Sequence, residues 1–244
     1  MNILILGGTA EARILAGRLV ELGHRVTSSL AGRTIDPLPV SGALRVGGFG
    51  GVAGLASYLR AERYDRLVDA THPYARQIST NAVVASRLAG VPLVRFKRPG
   101  WPEPEDAGWL HVADLAAAAK VLPTGATALV TTGHYRLDAF FERDDCRLVI
   151  RLIEAPDLPL PPHARLLLDR PPYGLDGEVA LFRREEITCL VTKNSGGTQT
   201  AAKLEAAKRL GARVIMVDRP SQPQAREAAT IAEAIAALHL DASD

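Results

Sequence analysis

Short, continuous apolar runs alternate with longer amphipathic runs along nearly the whole chain. Residues 2–6 (Asn-Ile-Leu-Ile-Leu) and 66–70 are of the first kind, which predicts buried strands. Residues 9–22 and 74–89 are of the second kind, with apolar side chains three and four apart, which predicts helices. The same reading predicts strands at 25–29, 43–46 and 92–96 and a helix at 52–62. A Pro-, Gly- and acid-rich segment, 98–106, interrupts the rhythm and reads as a linker. The alternation then resumes. Helices are predicted at 112–122, 134–142, 178–184, 199–210 and 224–238, and strands at 126–131, 148–153, 165–168, 187–192 and 213–217.

Strands separated by crossovers long enough to hold a helix imply a mainly parallel sheet covered on both faces. The expected fold is therefore α/β: two Rossmann-like three-layer halves with mainly parallel sheets facing a shared cleft. The expected division is 1–98, a linker 99–109, and 110–244, and the pattern leaves open a strand of one half entering the sheet of the other. Composition agrees, with 47% apolar and 23% charged residues in a 244-residue chain, which argues against disorder. The formal net charge of +2 is too near zero for nucleic acid to be the expected partner. No apolar run has membrane-spanning length, and the first residues lack the basic region of a signal peptide. A cytoplasmic protein is expected. Cys146 and Cys189 are isolated and fit no metal spacing, so reduced core thiols and no metal are expected.

Four turns at predicted strand ends carry the chemistry. Asp69-Ala70-Thr71-His72-Pro73-Tyr74-Ala75 places ring and titratable side chains where a strand meets a helix, the edge of an open α/β sheet at which ligands bind. Thr71 is a candidate cofactor contact. His72 and Tyr74 are the candidate catalytic residues, with His72 able to orient a carboxylate, shuttle a proton or pack under the loop. Gly7-Gly8-Thr9 follows the first strand and lets backbone approach a bound group at a helix N-terminus. It departs from the dinucleotide fingerprint, because Thr9 and Ala12 stand at the second and third Gly positions. Glu11 would repel a pyrophosphate there.

After the second strand, Ser28, Ser29 and Arg33 are all donors, with no acid before Asp36. A cofactor at this strand end would carry a 2′-phosphate, since an acid there would select the free ribose hydroxyl. The fourth turn, Lys193-Asn194-Ser195-Gly196-Gly197-Thr198, has Lys203 beyond it and no acid before Glu205. It reads as a cradle for phosphates or several carboxylates, although the P-loop spacing is absent. Thr132 and His134 end a neighbouring predicted strand and belong with it.

Gly7-Gly8-Thr9-Ala10-Glu11-Ala12-Arg13, Leu30-Ala31-Gly32-Arg33, Asp69 to Ala75, Lys193 to Gly197 and Arg219-Pro220 occur in order over nearly the whole chain. Together they resemble the precorrin-6A reductase family of cobalamin biosynthesis. The resemblance implies NADPH-dependent reduction of one double bond of the precorrin-6A macrocycle to give precorrin-6B. It leaves the proton source open among His72, Tyr74 and a bound water, and needs no metal. NADPH and a tetrapyrrole are the implied cofactor and substrate, and other enzymes of the pathway are further candidate partners. A cobalt-containing substrate and a non-catalytic NADP(H) or tetrapyrrole carrier fit the same motifs.

Overall fold

The computed structural model describes residues 1–32 and 38–239. Its contacts divide the chain into two units, one of Met1–Pro99 with the segment from Pro220 onward, the other of Gly100–Arg219. The first unit holds a six-stranded, all-parallel sheet in the order β3-β2-β1-β4-β5-β12. Its strands are β1 (Asn2–Leu6), β2 (Arg25–Leu30), β3 (Ala43–Val46), β4 (Arg66–Asp69), β5 (Leu93–Phe96) and β12 (Arg226–Ala228).

Alternation along β1 builds both faces of this sheet. Ile3 and Ile5 point to one side, where α1 (Ala10–Glu21) and α7 (Ile231–Leu238) supply Leu15, Leu19 and Leu238. Leu4 and Leu6 point to the other, where α2 (Gly51–Ala61) and α3 (Arg76–Ala89) supply Leu55, Leu59 and Ala82. A strand buried on both faces needs an unbroken apolar run, which is why residues 3–6 contain no polar side chain.

The second unit repeats the plan. Its order is β9-β8-β7-β10-β11-β6, again all parallel. The strands are β6 (Leu110–Val112), β7 (Thr127–Val130), β8 (Arg147–Leu152), β9 (Ala164–Leu168), β10 (Cys189–Lys193) and β11 (Arg213–Val217). Leu129, Val149, Leu190 and Met216 meet Leu181 and Phe182 of α5 (Leu175–Arg184) and Ala206 of α6 (Ala202–Leu210). Cys146 and Cys189 are buried and form no disulfide among the described residues.

In each unit the strand at the sixth position comes from elsewhere in the chain. The chain leaves β5 and makes β6 beside β11; it leaves β11 and makes β12 beside β5. The two units thus exchange their sixth strands, each followed by its helix, α4 (Leu115–Lys120) or α7. For this reason the chain from Pro220 onward belongs with the first unit rather than with the expected second half at 110–244.

Several predicted helices are shorter than expected, and three of them have a clear local cause. The helix expected at 112–122 begins only at Leu115, because Asp114 caps it by accepting from the Ala117 amide at 2.8 Å; Leu110–Val112 before it is strand. The helix expected at 134–142 is a single 3₁₀ turn, Leu137–Phe140, since Gly133 and Arg136 have φ of 78° and 54°. The helix expected at 224–238 starts at Ile231 behind a Thr230 cap, leaving Arg226–Ala228 to pair as β12.

Candidate active site

In the first unit, strand order reverses between β1 and β4, the position where doubly wound sheets open a crevice at their carboxyl ends. Gly7-Gly8-Thr9 and Thr71-His72-Pro73-Tyr74 follow those two strands, so the turns expected to adjoin do so. Gly7 donates to the Ser29 carbonyl at 2.9 Å, which draws the turn towards β2. Gly8 has φ of 105°, and a Cβ added there would meet nothing within 4 Å, so the backbone faces open space in a conformation suited to glycine.

Thr9 caps α1 by accepting from the Ala12 amide at 3.1 Å and donates to the Ala70 carbonyl at 3.0 Å. One hydroxyl therefore ties the two turns together. The amides of Ala10 and Glu11 precede the capped one and have no acceptor within the helix. Glu11 does not leave a bare negative charge beside them, because Arg98 meets its carboxylate at 2.5 Å. The repulsion expected from Glu11 is removed by a residue at the far end of β5.

Beneath the second turn lies a buried ion pair. Asp69 and Arg95 are 2–3% exposed and meet at 3.2 Å. Arg95 also donates to the carbonyls of Pro223 and Ser79 at 2.7 and 3.4 Å. The other Asp69 oxygen accepts from the Thr71 hydroxyl at 2.6 Å, so the pair sets the Thr71 side chain. His72 and Tyr74 are half-buried, with ring centroids 5.6 Å apart. Tyr74 points its amide at His72 Nδ1 over 3.4 Å, and Gln222 donates to the Pro73 carbonyl at 3.0 Å.

Ser28 and Ser29 are buried at the end of β2. The Ser29 hydroxyl accepts from Arg45 of β3 at 3.2 Å, a neighbour that the strand register brings alongside and the sequence did not suggest. Arg33 lies outside the described residues.

The second unit's carboxyl edge is built differently. Trp101 donates its amide to Asn194 Oδ1 and its indole N–H to the Gly197 carbonyl, both at 2.8 Å. Arg219 donates to the carbonyls of Asn194 and Ser195 at 2.7 and 3.2 Å. The expected cradle, Lys193 to Thr198, is thus pinned from two sides, with Gly196 and Gly197 at φ of 68° and 80°. Thr132 lies in the turn after β7, and its buried hydroxyl has no partner among the described residues. His134 is exposed beyond it.

Lys203 departs from expectation. It is 4% exposed rather than offered at the surface, its ammonium donating to the Thr131 hydroxyl at 3.0 Å and lying 5.4 Å from the Trp101 ring centroid. Burial pulls its pKa down to about 7, and the charge of Arg151 adds to that shift. Arg151 is itself buried in a pair with Glu178, at 2.5 and 3.0 Å, beneath the Tyr173 ring. Among the described residues no group of three or more metal-ligating side chains gathers, and no helix is long and apolar enough to cross a membrane.

A doubly wound parallel sheet with a glycine turn at its switch point, built twice with exchanged sixth strands, defines an α/β protein of the Rossmann type. The chain also matches the family model "Precorrin-6x reductase CbiJ/CobK" over residues 2–239, and it belongs to that family. It is 50% identical over 229 residues to the precorrin-6A reductase of Rhodococcus erythropolis, covering 93% of this chain and 92% of that one. A cobalt-precorrin-6A reductase of Priestia megaterium is 28% identical over 255 residues, covering 97% of each chain. The solved structure of CobK precorrin-6A reductase matches with a TM-score of 0.93 at 42% identity, over 98% of this chain and 96% of that one.

Proposed function

We propose that this protein reduces one double bond of the precorrin-6A macrocycle with NADPH, giving precorrin-6B in cobalamin biosynthesis. The observation that carries the cofactor side is the open backbone at Gly8, beside helix amides whose acidic neighbour Glu11 is neutralised by Arg98. When bound, NADPH supplies a hydride to a carbon of the conjugated, iminium-like macrocycle, and a proton is added at the neighbouring carbon.

Gly7, Gly8 and Thr9 cradle the pyrophosphate, with open space at Gly8 and the first amides of α1 beside it. Ser28, Ser29 and Arg33 serve the adenosine end. Thr71, set by the Asp69–Arg95 pair, faces the nicotinamide end. His72 and Tyr74 orient the reacting groups, and the proton comes from one of them or from water.

The macrocycle is a polycarboxylate, and the second unit's edge suits it. Lys193, Asn194, Ser195, Gly196, Gly197, Thr198, Thr132 and His134 offer an ammonium, hydroxyls and amides without a carboxylate among them. Lys203 is a positioning residue, holding Thr131 beside Thr132 from beneath. The metal-free substrate is favoured because the relative at 50% identity is a precorrin-6A reductase, whereas the cobalt-precorrin-6A reductase stands at 28%.

The test is to mix the protein with NADPH and precorrin-6A and follow nicotinamide absorbance with the product mass. NADPH oxidation with a gain of two hydrogens is expected. NADPH binding without oxidation would leave a carrier, and failure to bind NADPH would remove the reductase reading. Turnover restricted to cobalt-precorrin-6A would move the substrate to the metal-containing form.

A further inference from the structure

Arg45 is held against the fold by neutral partners, unlike the arginines that are paired with carboxylates. Arg95, Arg98, Arg143, Arg147 and Arg151 each meet a carboxylate, those of Asp69, Glu11, Asp145, Glu185 and Glu178. Arg45 is half-buried and meets none among the described residues. Its partners are the Ser29 hydroxyl at 3.2 Å and the carbonyls of Gly47 and Gly48 at 2.5 and 2.7 Å. Its guanidinium carbon stands 3.8 Å from the Phe49 ring centroid and 5.1 Å from that of Tyr58. The rings and oxygens fix the guanidinium plane without neutralising it. Of five N–H donors, three are engaged, leaving Nε–H and one Nη2–H.

Its place along the sheet edge gives that charge a meaning. The register sets Leu6 beside Ser29 and Ser29 beside Arg45. The carboxyl edge therefore runs from the Gly7-Gly8 turn to Ser29 and then to Arg45. A dinucleotide whose pyrophosphate rests on the glycine turn carries its adenosine ribose towards the end of β2. A preoriented guanidinium with two donors to spare, one strand further out, suits a phosphate on that ribose.

We infer that Arg45 is the specificity residue that selects NADPH over NADH by holding the 2′-phosphate of the adenosine ribose. This rests on the NADPH reading above and assigns to β3 a role expected of Arg33. Ser29 acts with it by fixing one edge of the guanidinium.

The experiment compares dissociation constants of NADPH and NADH for the full-length protein and for Arg45→Gln, which keeps an amide donor but removes the charge. The unsubstituted protein is expected to prefer NADPH. In Arg45→Gln, NADPH binding should weaken roughly 10- to 100-fold, the range for one charge-assisted contact, with NADH binding unchanged. Arg45→Lys should recover part of the preference, since it restores charge without the stacked plane.

If the unsubstituted protein prefers NADPH and Arg45→Gln keeps that preference, the inference fails while the NADPH reading stands. Equal weakening of both cofactors would make Arg45 a structural residue and overturn the inference as well. If the unsubstituted protein shows no preference, the NADPH reading itself fails.

Discussion

The two units share one strand order, yet their carboxyl edges are made of different material. In the first, Gly8 of the turn after β1 faces open space, and Thr9 ties that turn to the one after β4. In the second, Gly133 in the equivalent turn after β7 is equally open, but the Lys193–Thr198 loop after β10 is held by Trp101 and Arg219, and Lys203 braces Thr131. An open backbone edge suits the pyrophosphate of a dinucleotide. A loop stiffened from beneath and dressed with donors suits several carboxylates held at fixed spacing. The two sheets thus share one topology, and the difference between them lies in the side chains around their strand-end loops.

The buried charges sharpen the contrast. Arg95 has the Pro223 and Ser79 carbonyls besides Asp69, with Glu227 3.9 Å away. Arg151 has Glu178 and the face of Tyr173, with the Lys203 charge acting on the same buried region. Removing Glu178 should therefore cost more than removing Asp69, although both leave a buried cation. Glu178→Ala is expected to lose about 3–5 kcal/mol in urea unfolding, and Asp69→Ala less. Equal losses would erase the distinction between the two clusters.

Lys203 provides the next largest effect, through pH. Its folded-state pKa of about 7 lies below its ordinary 10.5, so between those values the unfolded chain binds more protons. Stability should rise with pH across that window. Lys203→Met should flatten the rise, stabilising the protein most near pH 7 and least near pH 10. A slope unchanged by the substitution would mean that the ammonium is not buried as described.

A smaller pair of changes separates the two edges functionally. Thr9→Val removes the α1 cap and the tie to Ala70, at about 1–2 kcal/mol, and should raise KM for NADPH alone. Trp101→Phe removes the indole bond to Gly197, at about 1 kcal/mol, and should raise KM for the macrocycle alone. Both variants raising the same KM would break the assignment of one ligand to each edge.

The smallest effect belongs to His111, whose ring nitrogens lie 2.7 Å from the Asp218 carboxylate and 3.2 Å from that of Glu103. These carboxylates raise its pKa. Its contribution is present below the unfolded value of 6.5 and lost as pH rises through the raised one. Because the side chain is 40% exposed, His111→Phe should cost a few tenths of a kcal/mol at pH 5 and nothing at pH 9, measured by thermal unfolding.

Much of this site was legible because strand-end turns advertise themselves. Gly8, Gly196 and Gly197 need backbone conformations that glycine supplies, and the adjoining runs are apolar because both sheet faces are covered. Lys203 reads from the sequence as a donor of the cradle, since one lysine on an amphipathic run looks alike whether its amine reaches a ligand or folds beneath a tryptophan. Arg45 gave no signal at all. It belongs to a four-residue edge strand, and its meaning comes from a partner sixteen residues earlier in the chain.

Local pattern by itself determined the strands, most of the helices, the parallel arrangement and the glycine turns at strand ends. It could do so because burial on two faces and tight strand–helix turns each demand particular residues at particular places. Only the tertiary structure decided the exchange of sixth strands, the Asp69–Arg95 and Arg151–Glu178 pairs, the neutralisation of Glu11 by Arg98 and the position of Arg45. Those are pairings between distant residues, and β6 and β12 are three residues each. Too short to carry a period of their own, they acquire a place when a neighbouring strand offers hydrogen bonds.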